Sequence, residues 1–176
     1  MNKVLSLVLV LVLCMAMSAI AESPVAPSIA APVTVATYPA VNLASDPAQA
    51  AEVAAQLGAL EAQGKEAYLG ADIAALVDAI SGGNLVSIDA LSLTGYEASM
   101  GDVTATISSA NLQALAAGAK VAVVIGISAG VADGMTTYTW SVLEGIADGN
   151  GGVQVTIPAD IMAAANGASM VTAIFA

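Results

Sequence analysis

The stretch that decides the fold is KVAVVIGISAGVADGMTTYTWSVLEGIA, residues 120–147. Its first part, Lys120–Ser128, is continuously apolar, which is typical of a strand buried on both faces. Its second part, residues 135–147, alternates polar and apolar side chains as a half-buried strand does. Asp133-Gly134 between them favours a hairpin turn. These residues predict two antiparallel strands in a β-rich domain.

The same two-residue period recurs outward from this hairpin, with glycines between the runs. Further strands are predicted at residues 91–94, 103–108, 153–157 and 169–176. Six short strands separated by glycine turns indicate an antiparallel β-sandwich or a partial barrel. We therefore expect a mainly β (α+β) chain with an Ig-like sandwich of about six or seven strands over residues 85–176.

Helical patterns precede the strands, over residues 45–84. Ser45 or Asp46 is suited to cap a helix that starts at Pro47 and stops near Gly64. A second, amphipathic helix is predicted to open at Asp72 and to end in glycines, with an apolar face made of Ile73, Leu76, Val77 and Ile80. SANLQALAAG and PADIMAAANG, farther along the chain, indicate single helical turns.

The N-terminus has the pattern of a secretory signal peptide over residues 1–21. Lys3 precedes an apolar run, and Ala19-Ile20-Ala21 forms a cleavage site before Glu22. The alternative is an uncleaved anchor, but the run is short for a span of roughly 20 residues. Leu13 rather than a small residue precedes Cys14, so a lipoprotein is not expected, and the mature chain would have no cysteine.

Residues 22–44 are rich in proline, which disfavours helices and central strands. We expect a disordered leader or linker there. The alternative is that VTVATY, residues 33–38, adds an edge strand.

Composition excludes several classes of function. The chain carries 14 acidic and 3 basic residues, with a net charge of −11 and no histidine. It therefore lacks the basic surface that nucleic acid requires, and without arginine it cannot clamp phosphate with guanidinium groups. Aromatic residues make up only 3%, whereas ligand pockets are usually lined with them. We expect no cofactor and no nucleic-acid partner.

Acidic residues are the remaining candidates for a site. Gly101-Asp102 is interpreted as a turn, with a cation site shared with Glu97 as the alternative. Asp148-Gly149-Asn150-Gly151 begins like a calcium loop, but it lacks the third ligand and the bidentate glutamate, so no metal is expected. A glycosidase would need two converging carboxylates, for which the candidates are Glu97, Asp102, Glu144, Asp148 and Asp160.

Basic and aromatic residues are interpreted structurally. A serine hydrolase would need Lys65 or Lys120 as its base, and both are predicted to be edge charges. Tyr138 and Trp140 share one face of a strand and are suited to a ligand platform. The favoured interpretation is a buried Trp140 that packs against Phe175 and the apolar strand. The T-x-T pairs at 104–106 and 137–139 resemble parts of ice-binding arrays but lack a repeat, which favours an ordinary solvent-facing surface.

The sequence carries a resemblance in five of its runs. They are EAYLGADIAALVDAI, GYEASMGDVTATIS, KVAVVIGI, YTWSVLEGIADGNGGVQVTIPADIM and SMVTAIFA. Over about residues 64–176 the sequence resembles uncharacterised secreted or surface proteins of Gram-positive gut bacteria. The resemblance implies a secreted, sheet-rich protein and carries over no residue roles.

These features predict an exported, non-enzymatic module that binds or spaces components at the cell surface. Its partner would be an extracellular protein or a glycan, and no membrane span would remain after signal cleavage. The alternative is a structural subunit, a homo-oligomer that assembles by exchanging VTVATY or the last strand.

Overall fold

The structure is a computed structural model that describes residues 33–61, 64–132 and 135–176. Its eight strands are β1 Thr34–Tyr38, β2 Asn42–Ser45, β3 Leu85–Thr94, β4 Val103–Ser108, β5 Lys120–Ala132, β6 Met135–Ala147, β7 Gly152–Ile157 and β8 Ser169–Phe175. Its helices are α1 Pro47–Glu61, α2 Glu66–Leu69, α3 Ala71–Ile80 and α4 Ala159–Ala165, with 3₁₀ turns at Ala98–Met100 and Ala110–Leu112.

All eight strands belong to one antiparallel sheet in the order β1-β4-β7-β6-β5-β8-β3-β2. The two edge strands, β1 and β2, are consecutive in the chain and are joined by residues 39–41. Thr37 secures this joint, because its Oγ1 accepts from Val41 N at 2.9 Å and donates to Val41 O at 3.0 Å. The sheet must therefore curl until its two edges adjoin, which makes it nearly barrel-like.

The inner core is the apolar cluster that the curled sheet encloses. Strand β4 shows the pattern: Val103, Ala105 and Ile107 are buried, while the threonines between them are partly exposed. Side chains from all eight strands meet in this one cluster, and Met162 and Ala165 of α4 join it. Alternate side chains of every strand point to the same side of the sheet, and curling lets these inward-pointing side chains share one interior.

The outer core lies between the other face of the sheet and helices α1 to α3. Val53, Leu69 and Val77 come from the helices, and they pack with sheet residues such as Val124 and Phe175. Asp46 caps α1, since its Oδ1 accepts from Gln49 N at 3.1 Å. The sequence correctly located both long helices.

The buried face of α3 differs from the predicted one. Ala74 and Val77 are buried, whereas Leu76 is 52% exposed. The buried stripe is therefore made of Ala74 and Val77, with Ile73 and Ile80 half-buried beside it, and it excludes the predicted Leu76.

Two parts of the sequence-based fold are corrected. The strands form a single sheet of eight rather than an Ig-like sandwich of six or seven, although the mainly antiparallel character is confirmed. Residues 33–44, expected in a leader or linker, supply β1 and most of β2. Pro39 follows β1 rather than interrupting it, so it removes no hydrogen bond from that strand. The predicted edge strand at 33–38 is therefore present.

The β5–β6 hairpin extends beyond its neighbours. Strand β8 pairs with β5 only as far as Ile127, while β5 and β6 remain paired up to Ala132 and Met135. Asp133-Gly134, the predicted turn, lies outside the described residues. Exposure rises along this extension, and Val131 is 73% exposed. The hairpin therefore carries strand surface that the rest of the sheet does not cover.

Candidate functional site

Asp102 joins two distant parts of the chain. Its Oδ1 accepts from Ala159 N, the first residue of α4, at 3.0 Å. Gly101 before it has a φ of +68°, which glycine adopts without strain. Buried Tyr96 reinforces the connection, because its hydroxyl donates to Gly101 O at 3.0 Å. Gly101-Asp102 is thus a turn, as predicted, but its carboxylate holds a remote helix rather than local amides.

Asp148 organises the loop between β6 and β7. Its Oδ1 accepts from Asn150 N at 2.7 Å and from Gly152 N at 2.8 Å. These two backbone donors lower the pKa of the Asp148 carboxyl, because they stabilise its charged form. The Oδ2 atom of the same carboxylate occupies the space that a Cβ at Gly152 would need. The carboxylate therefore serves the loop's own backbone.

The structure brings three of the five candidate carboxylates to one region, because Asp102 bonds the residue before Asp160 and lies across a short turn from Glu97. By contrast, Glu144 and Asp148 lie on β6 and in the loop that follows it. Glu97 and Asp102 flank the 3₁₀ turn at Ala98–Met100, and Asp160 lies in the first turn of α4. Glu144 lies on β6, where its Oε1 is 3.0 Å from Lys120 Nζ. Within the described ranges, no group of three or more His, Cys, Asp or Glu side chains could hold a metal ion.

The two described lysines are engaged in ion pairs. Lys120 pairs with Glu144 at the exposed start of β5. Lys65 pairs with Asp78 of α3, and its Nζ also lies 3.4 Å from Gly83 O. Each lysine thus connects the end of one element to a neighbouring element.

Trp140 lies on the outer face of β6, half-buried against the outer core. Its register partner on β5 is Gly126, and a Cβ built there would overlap the indole ring. Tyr138 stacks beside it, with ring centroids 5.1 Å apart and planes tilted by 38°. Trp140 shares this cluster with Phe175, as predicted, but it covers the sheet from outside rather than filling the interior.

Asp89 is a buried carboxyl that the candidates from the sequence did not include. It lies on β3 opposite Thr172 and is 5% exposed. Ser45 Oγ donates to both of its oxygens at 3.1 Å, and Ala90 N donates at 2.8 Å. Burial raises its pKa, more strongly than these hydrogen bonds lower it. The signal in the sequence was one Asp inside the strand LVSIDALSLT.

The outer side of β1, β4 and β7 is a face of hydroxyl and amide side chains. Register aligns Tyr38 with Thr104 and Thr156 in one row, and Ala36 with Thr106 and Gln154 in the next. These five polar residues are at least partly exposed, and Tyr38 is 82% exposed. We call Tyr38, Thr104, Thr106, Gln154 and Thr156 the polar face.

Thr137 and Thr139 of the second T-x-T pair lie on the opposite side of the sheet. Thr139 is in register with Ile127 of β5, whose side chain packs against the inner core.

A small pocket lies beside α2, away from the polar face. It has a volume of about 190 Å³ and is lined by residues that include Lys65, Tyr68, Asn84 and Phe175. Lys65 is already paired with Asp78, so the pocket presents little unengaged charge to a ligand.

No protein-family model matches this sequence, and no match is found among curated proteins or solved structures. In the part of the chain that the structure describes, no helix is both long and apolar enough to cross a membrane.

Proposed function

We propose that this chain is an exported, non-enzymatic module that binds an extracellular protein or a glycan through the polar face. The observation that carries the proposal is the exposed row of Tyr38, Thr104 and Thr156 on a sheet surface that α1 to α3 leave uncovered. A tyrosine ring offers an apolar stacking surface, and the hydroxyls beside it donate and accept hydrogen bonds.

Composition and packing support the proposal that the chain is not an enzyme. The chain has no histidine, and its described lysines are held in ion pairs with Asp78 and Glu144. General acid–base chemistry needs a positioned group with a matched pKa beside a substrate. Asp89 has a raised pKa, but it is enclosed by Ser45 and the sheet rather than facing a cleft.

Export is supported by the signal-peptide pattern of residues 1–21 and by the strongly acidic composition. Expression of the full chain in a secreting bacterial host tests it. We expect protein outside the membrane whose N-terminus, read by mass spectrometry, is Glu22. Protein that retains Met1 and stays with the cytoplasm or membrane would contradict export without bearing on the polar face.

Binding is tested on arrays of immobilised glycans and extracellular proteins. Tyr38→Ala is expected to weaken any interaction of the polar face about tenfold or more, since an aromatic anchor carries much of a small interface. The matched control is Leu76→Ala, which removes an exposed apolar side chain from α3 on the helix-covered side. Binding that Leu76→Ala weakens and Tyr38→Ala leaves intact would place the site elsewhere.

The alternative from the sequence is self-assembly by exchange of β1 or β8. Within the described sheet, β1 pairs with β4, and β8 lies between β5 and β3. Exchange through either strand would require that strand to leave its own sheet, so the observations favour the binding module.

A further inference from the structure

Strand β6 leaves one edge open. On one side it pairs with β5 along its whole length. On the other side, among the residues that the structure describes, its ladder with β7 covers only Gly145–Ala147. Thr136–Val142, which we call the open edge, therefore has no strand partner on that side within the described sheet. About every second residue of such a segment points its N–H and C=O outward, toward a partner strand.

The open edge lacks the devices that usually prevent pairing. Natural edge strands carry charges, prolines or bulges that block another strand. Thr136–Val142 reads TTYTWSV and contains no charged residue and no proline. The one irregularity in its pairing with β5 lies in β5 itself, between Ser128 and Gly130, and not in the open edge. In a chain with a net charge of −11, this segment allows two copies to approach without placing carboxylates opposite each other.

The open edge is also complementary to itself. In an antiparallel pair of open edges with Thr139 opposite its own copy, Tyr138 faces the partner's Trp140, and Thr136 faces the partner's Val142. On the other side of the sheet, Thr137 faces the partner's Ser141. Aromatic pairs and Thr–Thr or Thr–Ser pairs are among the favourable cross-strand combinations. All seven residues of the segment take part in this pairing, with the aromatic pair on one face of the sheet and the hydroxyl pairs of Thr137 with Ser141 and of Thr139 with its own copy on the other.

We propose that two copies of this chain form a dimer by pairing their open edges about a two-fold axis at Thr139. The two curled sheets then share one continuous ladder of backbone hydrogen bonds across the β6 strands. The half-buried outer faces of Tyr138 and Trp140 gain an aromatic neighbour from the partner. The dimer does not depend on the polar face, which lies on other strands.

The position of the axis gives a sharp test, because a single substitution at Thr139 faces itself across the dimer. Thr139 is exposed, so a charged side chain there is compatible with the folded monomer. Thr139→Lys and Thr139→Glu each place like charges opposite one another and are expected to weaken the dimer about tenfold or more. An equimolar mixture of the two variants places opposite charges at the axis and is expected to restore a dimer.

The measurement is mass by light scattering after size exclusion, over a wide range of concentration, with native mass spectrometry of the mixture. The purified full chain is expected at twice its own mass, each variant alone is expected to dimerise only at concentrations about tenfold or more higher, and the mixture is expected as a heterodimer. Recovery of the heterodimer shows that both variants are folded. Gln154→Lys, an exposed change of equal charge on β7, is the matched control and is expected to remain dimeric.

Three results would overturn the proposal. One is an unmodified protein that stays monomeric at every concentration. A second is a dimer that Gln154→Lys weakens as much as Thr139→Lys does, which would indicate net charge rather than the axis. The third is a mixture of the charged variants that remains monomeric while circular dichroism shows both to be folded.

Discussion

At the scale of single residues, Asp89 makes the stability of the fold depend on pH. Because burial raises its pKa above the ordinary 3.8, the folded chain binds this proton more tightly than the unfolded chain does. Its contribution to stability is fully present below 3.8 and is lost as pH rises through the raised value. Asp89→Asn, which keeps an acceptor for Ser45, is expected to raise the free energy of unfolding at neutral pH.

Urea unfolding as a function of pH checks this prediction. The gain from Asp89→Asn should shrink as pH falls through the raised pKa of Asp89, and it should be smallest below 3.8, where the carboxyl of the unmodified protein is protonated in both the folded and the unfolded chain. The matched control is Asp72→Asn, an exposed residue of α3, which should change stability little. A loss of stability at all pH values would show that the geometry of the Ser45 and Ala90 hydrogen bonds outweighs the desolvation of the charge.

At the scale of the strands, Gly145 lets β6 approach its neighbours inside the curled sheet. A Cβ there would lie 2.8 Å from Val153 Cγ1 and 2.9 Å from Val123 Cγ2, and both valines are fully buried. Gly145→Ala is therefore expected to destabilise the protein by about 1–3 kcal/mol through overpacking. Denaturant unfolding measures this cost.

A double-mutant cycle identifies the cause of that cost. Val153→Ala removes the Cγ1 atom that the new methyl group would meet, so the double variant should lose less stability than the two single changes added together. Additive losses would mean that the intrinsic strand preference at residue 145, rather than contact with Val153, sets the cost.

At the scale of the whole molecule, the curled sheet depends on the joint between its two edge strands. Thr37→Val removes both hydrogen bonds between Thr37 Oγ1 and the backbone of Val41. We expect a loss of about 1–3 kcal/mol, because two backbone groups lose their partner. Hydrogen exchange should become faster in β1 and β2 and remain unchanged in β5.

The matched control for the joint is Thr34→Val, at the exposed start of the same strand. It should leave exchange in β2 unchanged. Equal acceleration of exchange in both variants would show that loss of a hydroxyl anywhere in β1, rather than loss of the joint, loosens the edge.

The sequence by itself located most of the elements. Alternation marked β4, β6 and β7, and continuous apolar character marked β5, because these signals depend on the faces of one strand. The start of α1 followed from Asp46 and Pro47, since a cap acts within one turn. Composition also determined the acidic character of the chain, its lack of histidine and its single thiol, at Cys14.

Only the tertiary structure decided which strands are neighbours. Alternation tells which side of a strand faces the core, but it does not name the partner strand, and pairs such as Thr34 with Ser108 lie far apart in the chain. Closure of one sheet through Thr37, burial of Asp89 and the open edge of β6 all follow from that pairing. Each depends on long-range contacts, whose entropic cost and packing are set by the whole fold rather than by any local segment.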